Sequence, residues 1–197
     1  SGYLSSPAQA GEVRSLFRQL KGKDTVVMVD PVMGDNGRLY RNISPEMADR
    51  MKTICREADI LIPNVTEACF LLGREYPQEG CGEALAEELL KSLCDLGPRQ
   101  VVLTGVSAGK NMVGAAAWNG KTGEFCSAYS KREEGVFHGT GDLFASVLLS
   151  AVLRGFPLQK TLEEAVGFTS LCIRRTLEEG IDPVMGVAFE DCLPRLM

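Results

Sequence analysis

The sequence is poor in the groups that most often announce a chemistry. It has one histidine, His138, and one tryptophan. Its seven cysteines are Cys55, Cys69, Cys81, Cys94, Cys126, Cys172 and Cys192, an odd number with no CxxC pair. With a single histidine there is no zinc pattern. Most of these cysteines fall in apolar periodic segments, so they read as reduced thiols in a cytoplasmic protein. Positive charge is not in excess. The net charge of −5 and the pI near 5.1 argue against a nucleic-acid surface. The longest apolar stretch, Leu143 to Leu153, is too short to span a membrane, so no membrane partner is expected. Signal-peptide patterning, internal repeats, linkers and low-complexity tracts are all missing. What remains is 197 residues, 45% apolar and 24% charged. That is ordinary globular material for one domain over residues 1–197, with a sizeable core.

The most informative stretch is Val136 to Arg154. Gly139-Thr140-Gly141 suits backbone with unusual dihedrals or a close approach to something. The run after it, Leu143 to Arg154, is apolar on nearly every side and predicts a buried helix. A Gly-rich turn thus delivers Asp142 to a helix N-terminus, where free N–H groups and the dipole favour anions. Asp142 is then either a helix cap or a carboxylate beside a phosphate site.

The rest of the chain alternates between strands and helices. Pro7 to Lys21 predicts a helix capped by Ser6, with Val13, Leu16, Phe17 and Leu20 on one apolar face. Thr25 to Val32 and Ala58 to Pro63 read as short buried parallel strands, and Gln100 to Thr104 as a third strand. Met33 to Gly37 reads as a loop. Helices are expected from Ser44-Pro45 to about Ala58, from Thr66 to Leu72, from Gly82 to Leu96, from Leu158 to Glu179 and from Phe189 to Leu196. Met112 to Ser130 predicts a hairpin turning at Asn119-Gly120. Such alternation means a mainly parallel sheet between helices, with ligands bound beyond the carboxyl ends of the strands. Asp30, Asn64, Glu67, Thr104 and Asp142 all fall at such ends or at the next helix start. Singly they could be turn residues, caps or strand ends. Together they suit phosphoryl transfer from a nucleotide, with carboxylates for Mg²⁺ and Asp142 to accept a proton. Gly105 to Asn111 is not a P-loop: its glycines are too close, Asn replaces Ser or Thr, and a strand follows.

Four motifs carry a resemblance. DPVMGD (Asp30–Asp35), ADILIPNVTEA (Ala58–Ala68), VVLTG (Val101–Gly105) and VFHGTGDLFAS (Val136–Ser146) together resemble the pyridoxal kinase family of the ribokinase-like superfamily. The resemblance implies an α/β ribokinase-like three-layer sandwich, a mainly parallel sheet with helices on both faces. It implies ATP- and Mg²⁺-dependent phosphorylation of the 5′-hydroxyl of pyridoxal, pyridoxine or pyridoxamine, by a homodimer. Carried over by position, Asp142 matches the catalytic base, and Gly139, Thr140 and Gly141 the anion hole. Asp30 and Glu67 match acidic positions near Mg²⁺ and the monovalent cation. Asn64 and Thr104 match nucleotide-phosphate contacts, and Asp35 and Tyr40 loop positions near the nucleotide.

Three departures accompany the match. Ile62 stands where some members use Thr at a potassium (K⁺) site. His138 precedes the GTGD turn where some have Val, and is given no role. The family's leading strands, which carry much of the pyridoxal pocket, have no counterpart. The opening SGYLSSPAQ resembles the family's interior, so residues 1–197 alone are expected not to phosphorylate pyridoxal. The related hydroxymethylpyrimidine (phosphate) kinases share DPVM and the Pro-Asn segment. They commonly carry Cys where this chain has Asp142, and they lack the Gly34-Asp35 pair. A truncated, non-catalytic nucleotide-binding homologue is the third reading.

Overall fold

Ser6 and Ser44 begin the first two helices as their positions before Pro7 and Pro45 predict. The Ser6 hydroxyl accepts from the Gln9 N–H at 3.3 Å, and that of Ser44 from the Met47 N–H at 3.1 Å. The computed structural model describes residues 1–196. In chain order the elements are α1 (Pro7–Leu20), β1 (Met28–Val29), β2 (Gly34–Asp35), β3 (Arg38–Leu39), α2 (Pro45–Cys55), β4 (Ile60–Leu61) and α3 (Val65–Leu72). Then come α4 (Glu83–Cys94), β5 (Gln100–Ser107), β6 (Met112–Asn119), β7 (Glu124–Lys131), α5 (Thr140–Leu153) and α6 (Leu158–Glu178). Two short 3₁₀ turns, Pro183–Met185 and Glu190–Leu196, follow. No helix among the described residues is long and apolar enough to cross a membrane.

One five-stranded sheet has the order β1-β4-β5-β6-β7, and β2-β3 form a separate ribbon. β1 with β4 and β4 with β5 are parallel, in the register Met28–Ile60–Gln100 and Val29–Leu61–Val101. Residues 108–111 and 120–123 are too short for crossovers, so β5, β6 and β7 form an antiparallel meander. β1 and β4 are shorter than the expected runs. Pro31 and Pro63 have no N–H to give, so each ladder ends just before them. β5 instead continues past Thr104 to Ser107, with Gly105 at φ 80° inside it.

Two compact units can be distinguished. The first comprises Ser1–Val106 and Ala116–Phe125. Its core is built from Val29, Met51, Ile54, Leu61, Leu89, Leu90, Leu93 and Leu103, all fully buried. The second comprises Ser107–Ala115 and the chain from Cys126 onward. There α5 packs on α6, burying Phe144, Val147, Leu148, Leu162, Ala165 and Phe168.

Two expectations about burial are corrected. The predicted apolar face of α1 is only partly covered: Val13 and Phe17 are half-buried, while Leu16 and Leu20 are exposed. Helix α1 packs on α2 and is also held by charge. Arg14 Nε and Arg18 Nη2 donate to Glu57 Oε1 at 2.9 and 2.8 Å, and Lys21 Nζ donates to Asp59 Oδ1 at 3.2 Å. Helix α5 is not buried all round either. Asp142, Ser146 and Ser150 lie exposed along one side, and Leu153 is exposed at its end. The helix expected over Phe189 to Leu196 is also corrected: Glu190–Leu196 is a 3₁₀ turn with Pro194 inside it.

Hydrogen bonds from Arg14 and then Arg18 hold the Glu57 carboxyl below the ordinary carboxylate range. Its folded pKa is therefore the lower one. The stabilisation is present above the unfolded value and lost as pH falls through the folded value. Because the groups are partly exposed, it should be no more than about 1 kcal/mol. Glu57→Gln should lower the melting temperature near neutral pH, and the gap from wild type should close on acidification. A gap unchanged into strong acid would assign the effect to packing instead.

Candidate active site

In the first unit, the residues after β4 do more than start a helix. Asn64 is the N-cap of α3: its Oδ1 accepts from the Glu67 N–H at 3.0 Å, and Glu67 Oε2 accepts from the Asn64 N–H at 2.8 Å. This reciprocal capping box makes the plain reading of both residues correct as far as it goes. The same side chains also reach across to the segment after β1. Glu67 Oε1 accepts from the Met33 N–H at 2.9 Å, and Asn64 Nδ2 donates to the Gly34 carbonyl at 2.8 Å. Thr66 Oγ1 accepts from the Gly37 N–H at 2.9 Å. Asn64 further forms a parallel bridge with Thr104 of β5.

The segment these bonds hold was expected to be a loop and is a tight hairpin. Gly34 faces Leu39 and Asp35 faces Arg38 across the β2–β3 ribbon. The turn residues Asn36 and Gly37 have φ 50° and 76°, as a two-residue hairpin requires at both positions. The Asn-Gly dipeptide was the missed signal. Asp35 is oriented at this tip: its Oδ1 accepts from the Asn36 N–H at 2.8 Å and its Oδ2 from Asn36 Nδ2 at 3.0 Å.

The first unit therefore brings Asp35, Tyr40, Asn64, Glu67 and Thr104 together, with Asp30 in electrostatic reach. Burial pushes the Glu67 carboxyl up, and the N–H groups of Asn64, Met33 and Gly34 only partly offset this. Partial burial, and then the carboxylates of Asp35, Glu67 and Asp30, push the Tyr40 phenol up. No group of three or more His, Cys, Asp or Glu side chains among the described residues is placed to hold a metal ion. Each Glu67 oxygen accepts one amide in the bonds given above, which leaves it acceptor capacity for water. That donor set fits Mg²⁺, which keeps several waters and takes one or two carboxylates plus substrate phosphates.

The second unit carries the Gly-rich turn. Gly139 caps α5 at φ 80°, a left-handed conformation that a side chain would strain. No side chain caps this helix. Its first intrahelical bond is Leu143 N–H to Gly139 O at 3.0 Å, so the N–H groups of Thr140, Gly141 and Asp142 precede the ladder. Thr140 Oγ1 donates to the Phe137 carbonyl at 3.1 Å and fixes the entry of the turn. Asp142 is exposed in the first turn, and its carboxylate has no hydrogen-bond or ion-pair partner among the described residues. It does not cap the helix. Asp142, Ser146 and Ser150 line one side of a groove of about 510 Å³, with Phe168, Val187 and Phe189 among its apolar walls. No local pattern in the sequence marks this groove.

The cysteines take no part. None of the seven is in a disulfide, and all but Cys94 are buried. Burial pushes the Cys81 and Cys94 thiols up to about 11, far from the thiolate that nucleophilic chemistry needs.

The sequence profile of the phosphomethylpyrimidine kinase family matches residues 2–185. The chain belongs to that family. Five curated relatives that it matches carry the name pyridoxal kinase, one of them provisionally. The pig pyridoxal kinase is 30% identical over 211 residues, covering 93% of this chain and 63% of that protein. A crystal structure from Bacteroides thetaiotaomicron, provisionally named a phosphomethylpyrimidine kinase and containing pyridoxal, is 31% identical with a TM-score of 0.92. It covers 99% of this chain and 68% of that one. The Leishmania donovani pyridoxal kinase, in complex with ADP and pyridoxamine, is 27% identical with a TM-score of 0.74. It covers 92% of this chain and 62% of that one. The ribokinase-like α/β fold expected from the motifs is thus the fold of this chain. The chain spans between 46% and 68% of the length of five curated relatives that it matches.

Proposed function

We propose that the protein carrying this chain transfers the γ-phosphoryl group of ATP to the 5′-hydroxyl of a vitamin B6 vitamer. The observation that carries this reading is the unpaired Asp142 carboxylate beside free N–H groups at the start of α5. In this reading Asp142 takes the proton of the acceptor hydroxyl as its oxygen attacks phosphorus. The N–H groups after Gly139 stabilise charge on the transferred group, as an oriented dipole does best where charge develops. Asn64 and Thr104 contact the nucleotide phosphates, and Asp35 and Tyr40 stand near the nucleotide. Asp30 and Glu67 would hold Mg²⁺ through water, and the ion would neutralise phosphate charge. Relatives crystallised with pyridoxal, and with ADP and pyridoxamine, support the substrate pair.

The second reading, phosphorylation of hydroxymethylpyrimidine or its phosphate, is favoured by the description of the matched family. ADP release measured against pyridoxal, pyridoxine, pyridoxamine and hydroxymethylpyrimidine separates the two. The B6 reading expects the larger kcat/KM on a vitamer, and preference for the pyrimidine would overturn it. The metal assignment has its own test. Glu67→Gln replaces an acceptor by a donor opposite a backbone N–H. It should raise the Mg²⁺ concentration for half-maximal rate roughly tenfold, with a smaller change in acceptor KM. An unchanged Mg²⁺ titration would remove Glu67 from the metal's surroundings.

A further inference from the structure

We infer that Thr66 is a positioning residue for the nucleotide. It sets the Asn36–Gly37 turn and, through that turn, the Asp35 carboxylate. Thr66 sits between Asn64 and Glu67 in the first turn of α3, yet it has no part in their capping box. It is 2% exposed. Its Oγ1 accepts from the Gly37 N–H at 2.9 Å, 29 residues earlier in the chain. A helix position at N2 has no need of a hydroxyl for capping, so the group is spent on the hairpin.

The hairpin tip is constrained from the other side as well. A Cβ at Gly37 would lie 3.0 Å from the Tyr76 ring, so that ring closes over the turn. Gly37 thus lies between the Thr66 hydroxyl and the Tyr76 side chain. The next residue back, Asn36, holds both oxygens of Asp35. The linkage therefore runs from Thr66 to the Gly37 amide, to the turn dihedrals, to the Asp35 carboxylate. Asn64 and Glu67 anchor the root of the same hairpin at Gly34 and Met33. Thr66 alone anchors the tip among the three. Loss of its acceptor would free the end that bears Asp35 and leave the root in place. Valine keeps the shape of threonine but offers no acceptor, while serine keeps the acceptor.

This inference rests on the reading that Asp35 stands near the nucleotide, so the experiment includes Asp35→Asn. Hydrogen exchange of the Gly37 amide and calorimetric binding of ATP with Mg²⁺ are measured for wild type, Thr66→Val, Thr66→Ser and Asp35→Asn. Thr66→Val should lose protection at Gly37 and bind ATP about three- to tenfold more weakly, with kcat at saturating ATP within about twofold. Thr66→Ser should restore both. Weakened binding in Asp35→Asn with wild-type binding in Thr66→Val would overturn the inference and leave the Asp35 reading intact. Wild-type binding in Asp35→Asn would overturn the Asp35 reading and the inference with it. A Thr66→Val protein that loses thermal stability and kcat, but keeps Gly37 protection and ATP affinity, would show that Thr66 only packs.

Discussion

Asp142→Asn should lower kcat by roughly 10²–10⁴ while ATP affinity and melting temperature stay close to wild type. The separation of these readouts follows from the structure. The Asp142 carboxylate is exposed and bonds to no described residue, so an isosteric amide breaks no contact. The only structural cost is a lost first-turn charge, about 0.3–1 kcal/mol at most. The amide, however, accepts no proton at neutral pH, so the attacking hydroxyl would keep its proton longer along the reaction path. A variant with full kcat would show that Asp142 is merely a favourable acid in a first turn. A variant that melted early would show a structural role for the carboxylate.

The largest effect on stability should come from Gly114→Ala. Gly114 lies in β6, where an added Cβ would collide with the Ala128 carbonyl oxygen and stand 2.8 Å from the Tyr129 Cα. Both neighbours are backbone of β7, which cannot swing aside as a long side chain can. The strands must separate locally or the ladder must shift. Overpacking of this kind costs about 3 kcal/mol or more, a drop in melting temperature of about 6–12 °C for a chain this size. Gly167→Ala in α6 is the matched control, because a Cβ there meets nothing within 4 Å. It should be neutral or stabilising by up to about 1 kcal/mol, since alanine outranks glycine inside a helix. Equal melting temperatures for the two variants would contradict the tight approach of β6 to β7.

Much of this was legible because local chemistry and tertiary structure agree. Ser6, Ser44 and Asn64 stand where caps must stand, and Leu89, Leu90 and Leu93 repeat at the spacing of a buried helix face. The GTGD turn was legible for the same reason, since Gly139 adopts the left-handed backbone that two close glycines suggest. The lack of a P-loop at 105–111 is legible too: residues 108–111 turn from β5 into β6, with no helix to receive a phosphate. The misses have physical causes. Periodicity marked Leu16 and Leu20 as inward, but periodicity reports amphipathicity and not which partner is present. Strands β1 and β4 fall short of their apolar runs because Pro31 and Pro63 have no N–H to give to a ladder. The 33–37 segment reads as a loop because its Asn-Gly turn is flanked by only two-residue strands. The second bonds of Asn64 and Glu67, and the role of Thr66, join residues some thirty apart and leave no local trace.

The central claim is that Asp142 deprotonates the 5′-hydroxyl of a B6 vitamer for phosphoryl transfer from ATP. Its most direct test is mass spectrometry of the products formed from pyridoxal, ATP and Mg²⁺ by the protein carrying this chain and by its Asp142→Asn variant. The account predicts one ADP per pyridoxal 5′-phosphate with wild type, and a phosphate yield reduced by about 10² or more with the variant. ATP bound by wild type without phosphorylation of any vitamer, or equal yields from both proteins, would contradict it.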